Sequence, residues 1–558
     1  MADGAAVVGD IPAQRPGLQP RPALLAQLNV VGQEPSVVVL TGTRGTGKTQ
    51  LAAAYARARA AGGWRLIAWV NARDSESLRA GLATAAKAAA LPDGGSRQDA
   101  ADAGQALRHW LEADGSRCLL VFDDAEDLSL LRPFIPAVGT TRILITTTRD
   151  LVTEPGTSLP VAVFSAEEAL ALLAGRTGLA DEVGASAVAA ELGYLPLALD
   201  QAAAMIAEQH LEYAAYLAKL RALPVEDYLA QTEDAEEQPY PPGVAKAVLL
   251  SLEAARTADP LGVCSALMEV MAMLSPASVR CDLLRAAGQA GTLLGGGRRV
   301  AASKVDQALE RLTGWSLLGF SLDGQAVTVH CMVTRVVRGG LARHGRLTRA
   351  CRAAASTLEL SSEAVAKSLD YAAVSEILGQ LTALLENAQT CADDTDGEQA
   401  GTLTRLRFLA LRHLAELRNS MPRAIAIGEP LIADLERLLG PDDPDTLSAR
   451  NSLAHAYRQT GRVADAVPLL ERNLESGERL LGPDYPRTLA SRNNLATAYR
   501  ALGRWADAIP LFQKNVAVCE ELLGADHPKT VASRHNLDLA RQELAQAEIA
   551  GRNPQQPD

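Results

Sequence analysis

Apolar positions along this chain fall into three regimes. Between Val37 and about Asp150, short strand-favouring runs alternate with segments of helical period. The runs are Val37-Val38-Val39-Leu40, Arg65 to Val70, Cys118 to Phe122 and Thr141 to Thr148, and the helices between them span about 49–61, 75–90 and 99–113. Unbroken apolar strands separated by helices predict a parallel sheet covered on both faces, a three-layer α/β arrangement with its ligand at the C-terminal strand ends. A Pro-rich stretch, residues 7–25, precedes it and is expected to wrap the domain ahead of a short helix from Ala23 to Leu28.

In the second regime the spacing is mainly helical. Ala169, Leu170, Leu172 and Leu173, then Leu195, Leu197 and Leu199, predict a small helical lid over residues 165–235. The acidic, Pro-rich run Thr232 to Pro242 reads as a linker. Beyond it come helices, a glycine-rich loop from Gly291 to Gly297, a helix from Val305 to Leu318, and a hairpin. The hairpin strands are Leu317–Leu322 and Ala326–Val329, about an Asp323-Gly324 turn. Helices closed by a hairpin predict a winged helix. Residues 346–400 read as helical without a repeat.

The third regime is periodic. Leu439-Gly440-Pro-Asp-Asp-Pro-Asp-Thr446-Leu447 returns at Leu481 and again at Leu523, a spacing of 42 residues each time. Leu453, Leu495 and Leu537, with Tyr457 and Tyr499, mark one helix; Ala466-x-x-x-Leu470 and Ala508-x-x-x-Phe512 mark a second, after a turn at Gly461 and Gly503. A degenerate earlier copy is read at about 400–440. Repeated helix pairs stack into an α-solenoid whose inner face takes partners.

Composition sharpens this picture. At 558 residues the chain should hold three or four domains. Apolar residues make up 48% but aromatics only 4%, so the cores are Ala, Leu and Val and favour helices. A net charge of −12 and a pI of about 5.3 argue against a nucleic-acid-binding surface. The candidate recognition helix, Lys304 to Leu312, carries two bases against two acids and no basic footprint. Seven scattered cysteines without a C-x-x-C pattern fit a reduced, cytoplasmic setting, and no apolar run is long enough for a membrane span. The first residues lack the pattern of a signal peptide, and residues 551–558 are expected to be a disordered tail.

The chemistry concentrates where the first strand ends. Gly42-Thr43-Arg44-Gly45-Thr46-Gly47-Lys48-Thr49 joins a strand to a helix, the context a phosphate-binding loop requires. Its glycines let the backbone approach an anion, and the N–H groups of residues 44–49 point inward at a helix N-terminus. Lys48 is expected on the β- and γ-phosphates, and Thr49 on Mg²⁺. The apolar strand ending in Asp123-Asp124 adds acids at the same sheet edge: Asp123 for the metal shell, Asp124 to orient a water. Arg149, beyond the next strand, is either a cation for the γ-phosphate or an exposed strand-end arginine.

These stretches resemble the NB-ARC module of STAND signalling ATPases: the GTRGTGKT loop, LLVFDD, ITTTRD, and Gly193-Tyr194-Leu195-Pro196-Leu197 in place of the family's GLPL. The resemblance implies that Pro196 and the lead-in around Arg21 lie near adenine, and that Arg149 is a sensor arginine. It also implies that His330 reaches from the winged helix to the ADP β-phosphate. The residues flanking His330 depart from the family's Met-His-Asp pattern, being Val329 and Cys331. The C-terminal period resembles tetratricopeptide repeats of the kinesin-light-chain type, with the extra length expected in the connection.

The resulting division is a lead-in (1–30), a P-loop nucleotide-binding domain (31–160), a helical lid (161–235), a winged helix (236–345) and a helical connector (346–400). The repeats (401–550) and the tail follow. The function expected is an ATP/ADP switch resting with ADP, opening on ATP exchange into a form able to oligomerise, and reset by slow hydrolysis. A turnover ATPase and a repeat scaffold with a vestigial nucleotide site are the alternatives. On the repeats two adjacent positions recur, Arg450, Arg492 and Arg534 at one and Asn451, Asn493 and His535 at the next. They are read either as a ladder for a peptide partner or as residues that make inter-helix hydrogen bonds or face solvent.

Overall fold

A strand without polar alternation is stable only where both faces are covered. The strands of the N-terminal region are buried in this way. The structure, a computed structural model, describes residues 6–14, 21–30, 37–90, 100–148, 156–222, 242–275, 278–294, 297–366, 371–389, 397–415 and 421–549. It forms two compact units, Met1–Thr395 and Asp396–Asp558. The expected linker from Thr232, the expected tail and Arg149 lie outside the described residues.

Six parallel strands make the first unit's sheet, in the order β1-β3-β4-β5-β2-β6. They are β1 (Ala6–Val8), β2 (Val37–Thr41), β3 (Leu66–Asn71), β4 (Cys118–Asp123), β5 (Arg142–Thr146) and β6 (Thr157–Pro160). Alternate side chains feed two cores. On one face Leu66, Ala68, Leu120 and Phe122 pack under the helices Ser75–Ala88 and Ala100–Asp114. On the other, Val38, Leu40, Ile67 and Leu119 meet Leu51, Ala52 and Tyr55 of the helix Lys48–Ala61. The three-layer arrangement is therefore present. Two edge strands exceed the sequence reading. Ala6–Val8 belongs to the stretch expected to wrap the domain, but it hydrogen-bonds along β3. Three residues are too few to show a period.

The segment expected as a lid holds the helices Ala166–Thr177, Glu182–Glu191, Pro196–Gln209 and Tyr213–Ala222. Its first helix opens on a capping box, Ser165 with Glu168, and ends at Gly178 in the left-handed region. Pro196 stands at the first helical position of the third.

The next helices enclose a small antiparallel sheet, β7-β9-β8, made of Val279–Arg280, Ala326–Thr328 and Gly319–Phe320. The last two form the expected hairpin, with Gly324 at φ 71° in the turn; the third strand had no sequence signal. The lead-in also touches this hairpin: Ala13 N donates to Phe320 O, and Leu322 N to Ile11 O. The helix Ala302–Gly314 buries Val305, Ala308, Leu309 and Leu312. The segment expected as a connector, including the helix Tyr371–Gln389, is packed into the first unit. Gln380 accepts from Ser275 N at 2.8 Å and Asn387 donates to Met273 O at 3.0 Å.

The described residues of the second unit are all helical or in short turns, with Met421–Leu438, Pro444–Gln459, Val463–Leu480, Pro486–Ala501, Trp505–Leu523 and Pro528–Ile549 as successive antiparallel neighbours. Gly440, Gly482 and Gly524 sit near φ 90° just past a helix end, and Pro444, Pro486 and Pro528 start the next helix. The expectation that the extra repeat length lies in the connection is corrected: the P-x-T-L portion is already the first turn of a helix.

The repeated arginines also require correction. Arg450 and Arg492 are buried, with side chains 2% and 0% exposed. Arg450 donates to Glu436 at 2.7 Å and to Pro441 O at 3.0 Å. Arg492 donates to Glu478 at 2.6 Å, Pro483 O at 3.2 Å and Asn515 at 3.0 Å. Arg534 repeats the pattern with Glu520 and Ala525 O, yet stays 42% exposed. Each ties the end of one repeat to the start of the next, so Arg450 and Arg492 offer no surface for a partner. Asn451 and Asn493 are half-buried, and Asn493 accepts from Asn536 at 3.1 Å.

Candidate functional site

The turn from β2 into the helix Lys48–Ala61 requires glycine. Gly42, Gly45 and Gly47 have φ of 144°, 87° and 93°, and a Cβ on Gly42 would lie 2.5 Å from Val161 O. Gly45 faces the lid: Leu197 N approaches its carbonyl at 3.4 Å, and Leu195 lies 3.1 Å from where its Cβ would be. Lys48 is 8% exposed and donates to Gly42 O at 2.7 Å and Thr43 O at 2.9 Å. Burial brings its amine down to about 8, against the pull of Asp124, Cys331 and Asp123. Thr46 donates to Thr43 O at 3.0 Å, and Arg44 pairs with Glu126 at 3.5 Å.

β4 delivers Asp123 beneath this loop. Its Oδ1 accepts from Thr49 Oγ1 at 2.9 Å and from Thr146 Oγ1 at 2.6 Å. Burial pushes the carboxyl up to about 6, and the Thr146 and Thr49 hydrogen bonds hold it from going higher. Asp124 adopts φ 58°; its N–H donates to Thr146 Oγ1 at 2.8 Å and its carboxylate lies 3.7 Å from Arg73. Thr146 and Arg73 are absent from the sequence reading. Thr146 had a usable signal, being the last inward residue of β5 at the edge that carries the acids. Arg73 had none.

One cavity of about 1110 Å³ is lined by the loop residues Arg44 to Thr49, by Asp123 and Asp124, by Arg21 and Pro196, and by His330. The volume lies just above the usual range of about 300–1,000 Å³ for small-ligand sites. Arg21 is tied to its margin: it donates to Ala162 O at 2.9 Å, pairs with Glu168 at 3.2 Å and lies over the Phe164 ring at 5.3 Å. His330 caps the helix Cys331–Arg343, its Nδ1 accepting from Met332 N at 3.2 Å. A neutral ring in that role carries its proton on Nε2 and can donate it.

Residues 31–173 match the family model described as an AAA domain, and residues 445–514 and 492–550 match the tetratricopeptide repeat model. The chain thus carries an AAA-type P-loop domain and, C-terminal to it, tetratricopeptide repeats. The AAA match covers the six-strand sheet from β2 onward and reaches into the first lid helix; the repeat matches lie in the second unit. No curated protein matches the chain. Among solved structures it is similar to a STAND protein with a tetratricopeptide repeat sensor from Pyrococcus horikoshii, at 14% identity over 97% of this chain and 82% of that one, TM-score 0.40. It is also similar to the tetratricopeptide-like repeats of a Podosopora anserina kinesin light chain, at 26% identity over 35% and 91%, TM-score 0.31. A Walker-type ATPase of Pyrococcus abyssi aligns at 15% identity over 59% and 98%, TM-score 0.32. No described helix is long and apolar enough to cross a membrane.

Proposed function

We propose that the chain is a nucleotide-operated switch in which bound ADP holds the loop, lid and hairpin segments together and ATP exchange releases them. The observation that carries this reading is the shared cavity: Lys48, Pro196 and His330 come from three segments far apart in sequence and line one space. A ligand touching all three binds the closed arrangement better than an open one, and that difference is what shifts a two-state equilibrium.

The chain's own groups fit a nucleoside di- or triphosphate with Mg²⁺. When bound, these would supply a phosphoanhydride and the charge that offsets its oxygens. Lys48 presents its ammonium and the loop N–H groups line the anion site. Thr49 and Asp123, already hydrogen-bonded, would hold the metal shell; Asp124 would orient a water for slow hydrolysis. His330 lines the same cavity and would contact a phosphate oxygen. The tetratricopeptide repeats are the partner-binding part, their class being one that mediates protein interactions.

The test is to denature freshly purified protein, identify the released nucleotide, and size the native sample with excess ADP or ATP. ADP in the supernatant and a larger species with ATP alone are expected. No heat with either nucleotide would end the proposal, and turnover faster than about one per second with no retained ADP would favour a working ATPase instead. His330→Asn keeps a good helix cap but removes the imidazole from the cavity wall. It should weaken ADP about 10-fold by calorimetry, the size of one hydrogen bond to a charged group. Thr146→Val keeps the side-chain volume but removes the 2.6 Å bond to Asp123 and the acceptor of the Asp124 N–H. About 10-fold of the Mg²⁺-dependent gain in ATP affinity should disappear, with the Mg²⁺-free affinity unchanged.

A further inference from the structure

Gln50 stands in the first turn of the helix Lys48–Ala61, directly after Thr49, and lines the cavity. Its Oε1 is buried and has no hydrogen-bond partner. An amide oxygen cut off from water and from protein donors is costly, so a donor from a ligand would be well rewarded. The terminal torsion of glutamine is soft enough for the amide to turn toward it.

The neighbours indicate what the donor belongs to. On one side of Gln50 lie the loop amides of Gly45 to Thr49. On the other, along the same helix face, the cavity wall continues through the small side chains of Ala54 and Ala58, one and two turns on. Phe164, Leu172 and Pro196 add apolar wall. Gln50 thus sits where the loop amides join an apolar wall whose chemistry suits a heterocyclic base. Adenine carries an amino donor beside a ring-nitrogen acceptor, the pair that a glutamine amide matches with two hydrogen bonds; guanine shows two acceptors at that edge and leaves Oε1 unmet.

We propose that Gln50 reads the amino edge of the adenine base and so selects adenine over guanine nucleotides. The assignment rests on the nucleotide reading above and extends it to base discrimination by one side chain.

Calorimetry on the full-length chain with ADP, GDP and pyrophosphate, for the wild type and Gln50→Met, tests it. Methionine keeps length and helix preference. The wild type is expected to bind ADP at least about 10-fold more tightly than GDP. In Gln50→Met, ADP should weaken about 10-fold while GDP and pyrophosphate hold their affinities. An ADP preference retained in the variant overturns the assignment, as does a wild type that binds pyrophosphate but treats ADP and GDP alike. So does a variant that loses pyrophosphate as well, which would make Gln50 a support of the loop. A wild type that binds none of the three ligands removes the nucleotide reading itself.

Discussion

Lys48→Ala is expected to lower ADP and ATP affinity by about 1000-fold, the loss of some 4 kcal/mol that follows from removing one partner of a desolvated, hydrogen-bonded charge pair. Lys48 is 8% exposed and surrounded by loop carbonyls, so no neighbouring lysine can replace it in that space. Its removal also takes the side-chain donor from Gly42 O and leaves Thr43 O with Thr46 alone, and the loop should loosen. The helix should survive, since alanine has the best helix propensity. The repeats belong to a separate compact unit and should keep their helical signal. Calorimetry and circular dichroism on the same sample read both halves of this prediction. Nucleotide affinity equal to wild type would mean that the loop does not bind phosphate.

The second large effect lies in the repeats. Arg492→Met should destabilise them locally by about 3 kcal/mol, because three acceptors on Glu478, Asn515 and Pro483 O lose a buried donor together. The value sits at the low end for a broken buried pair because Glu478 keeps access to water at 36% exposure. Amides over Val463–Ala501 should then exchange about 100-fold faster in mass-spectrometric hydrogen exchange on the whole chain. Arg534→Met is the internal control. Its side chain is 42% exposed, so it should cost less than about 1 kcal/mol. Equal effects at both positions would show that burial does not set the value of these arginines.

Both predictions concern positions that the chain marks by pattern, and they show how differently pattern translates. The loop at Gly42 to Thr49 is contiguous, and its conformation follows from the glycines and the strand and helix beside it. The 42-residue period likewise encodes helix pairs, turns and neighbours through short-range rules: glycine past the helix end, proline at the next start, alanine where helices approach. The period could not tell Arg450 and Arg492 from surface residues. A recurring arginine looks the same whether it faces a partner or an internal glutamate, and the difference depends on where the preceding repeat places its acid.

What the amino-acid order determined by itself is therefore everything local or strictly repeated: the phosphate loop, the buried parallel strands, the lid's capped helices and the stacked repeats. Tertiary structure alone decided which distant residues meet. It brought Pro196 and His330 to the cavity of Lys48 and set Thr146 against Asp123. It drew Ala6–Val8 into the sheet, packed Tyr371–Gln389 into the first unit, and left the Gln50 amide unmatched beside the phosphate loop. The physical reason is range. Hydrogen bonds and hydrophobic period fix a segment within a few residues of itself, whereas the burial of a charged or polar side chain is set by surfaces that only packing brings together.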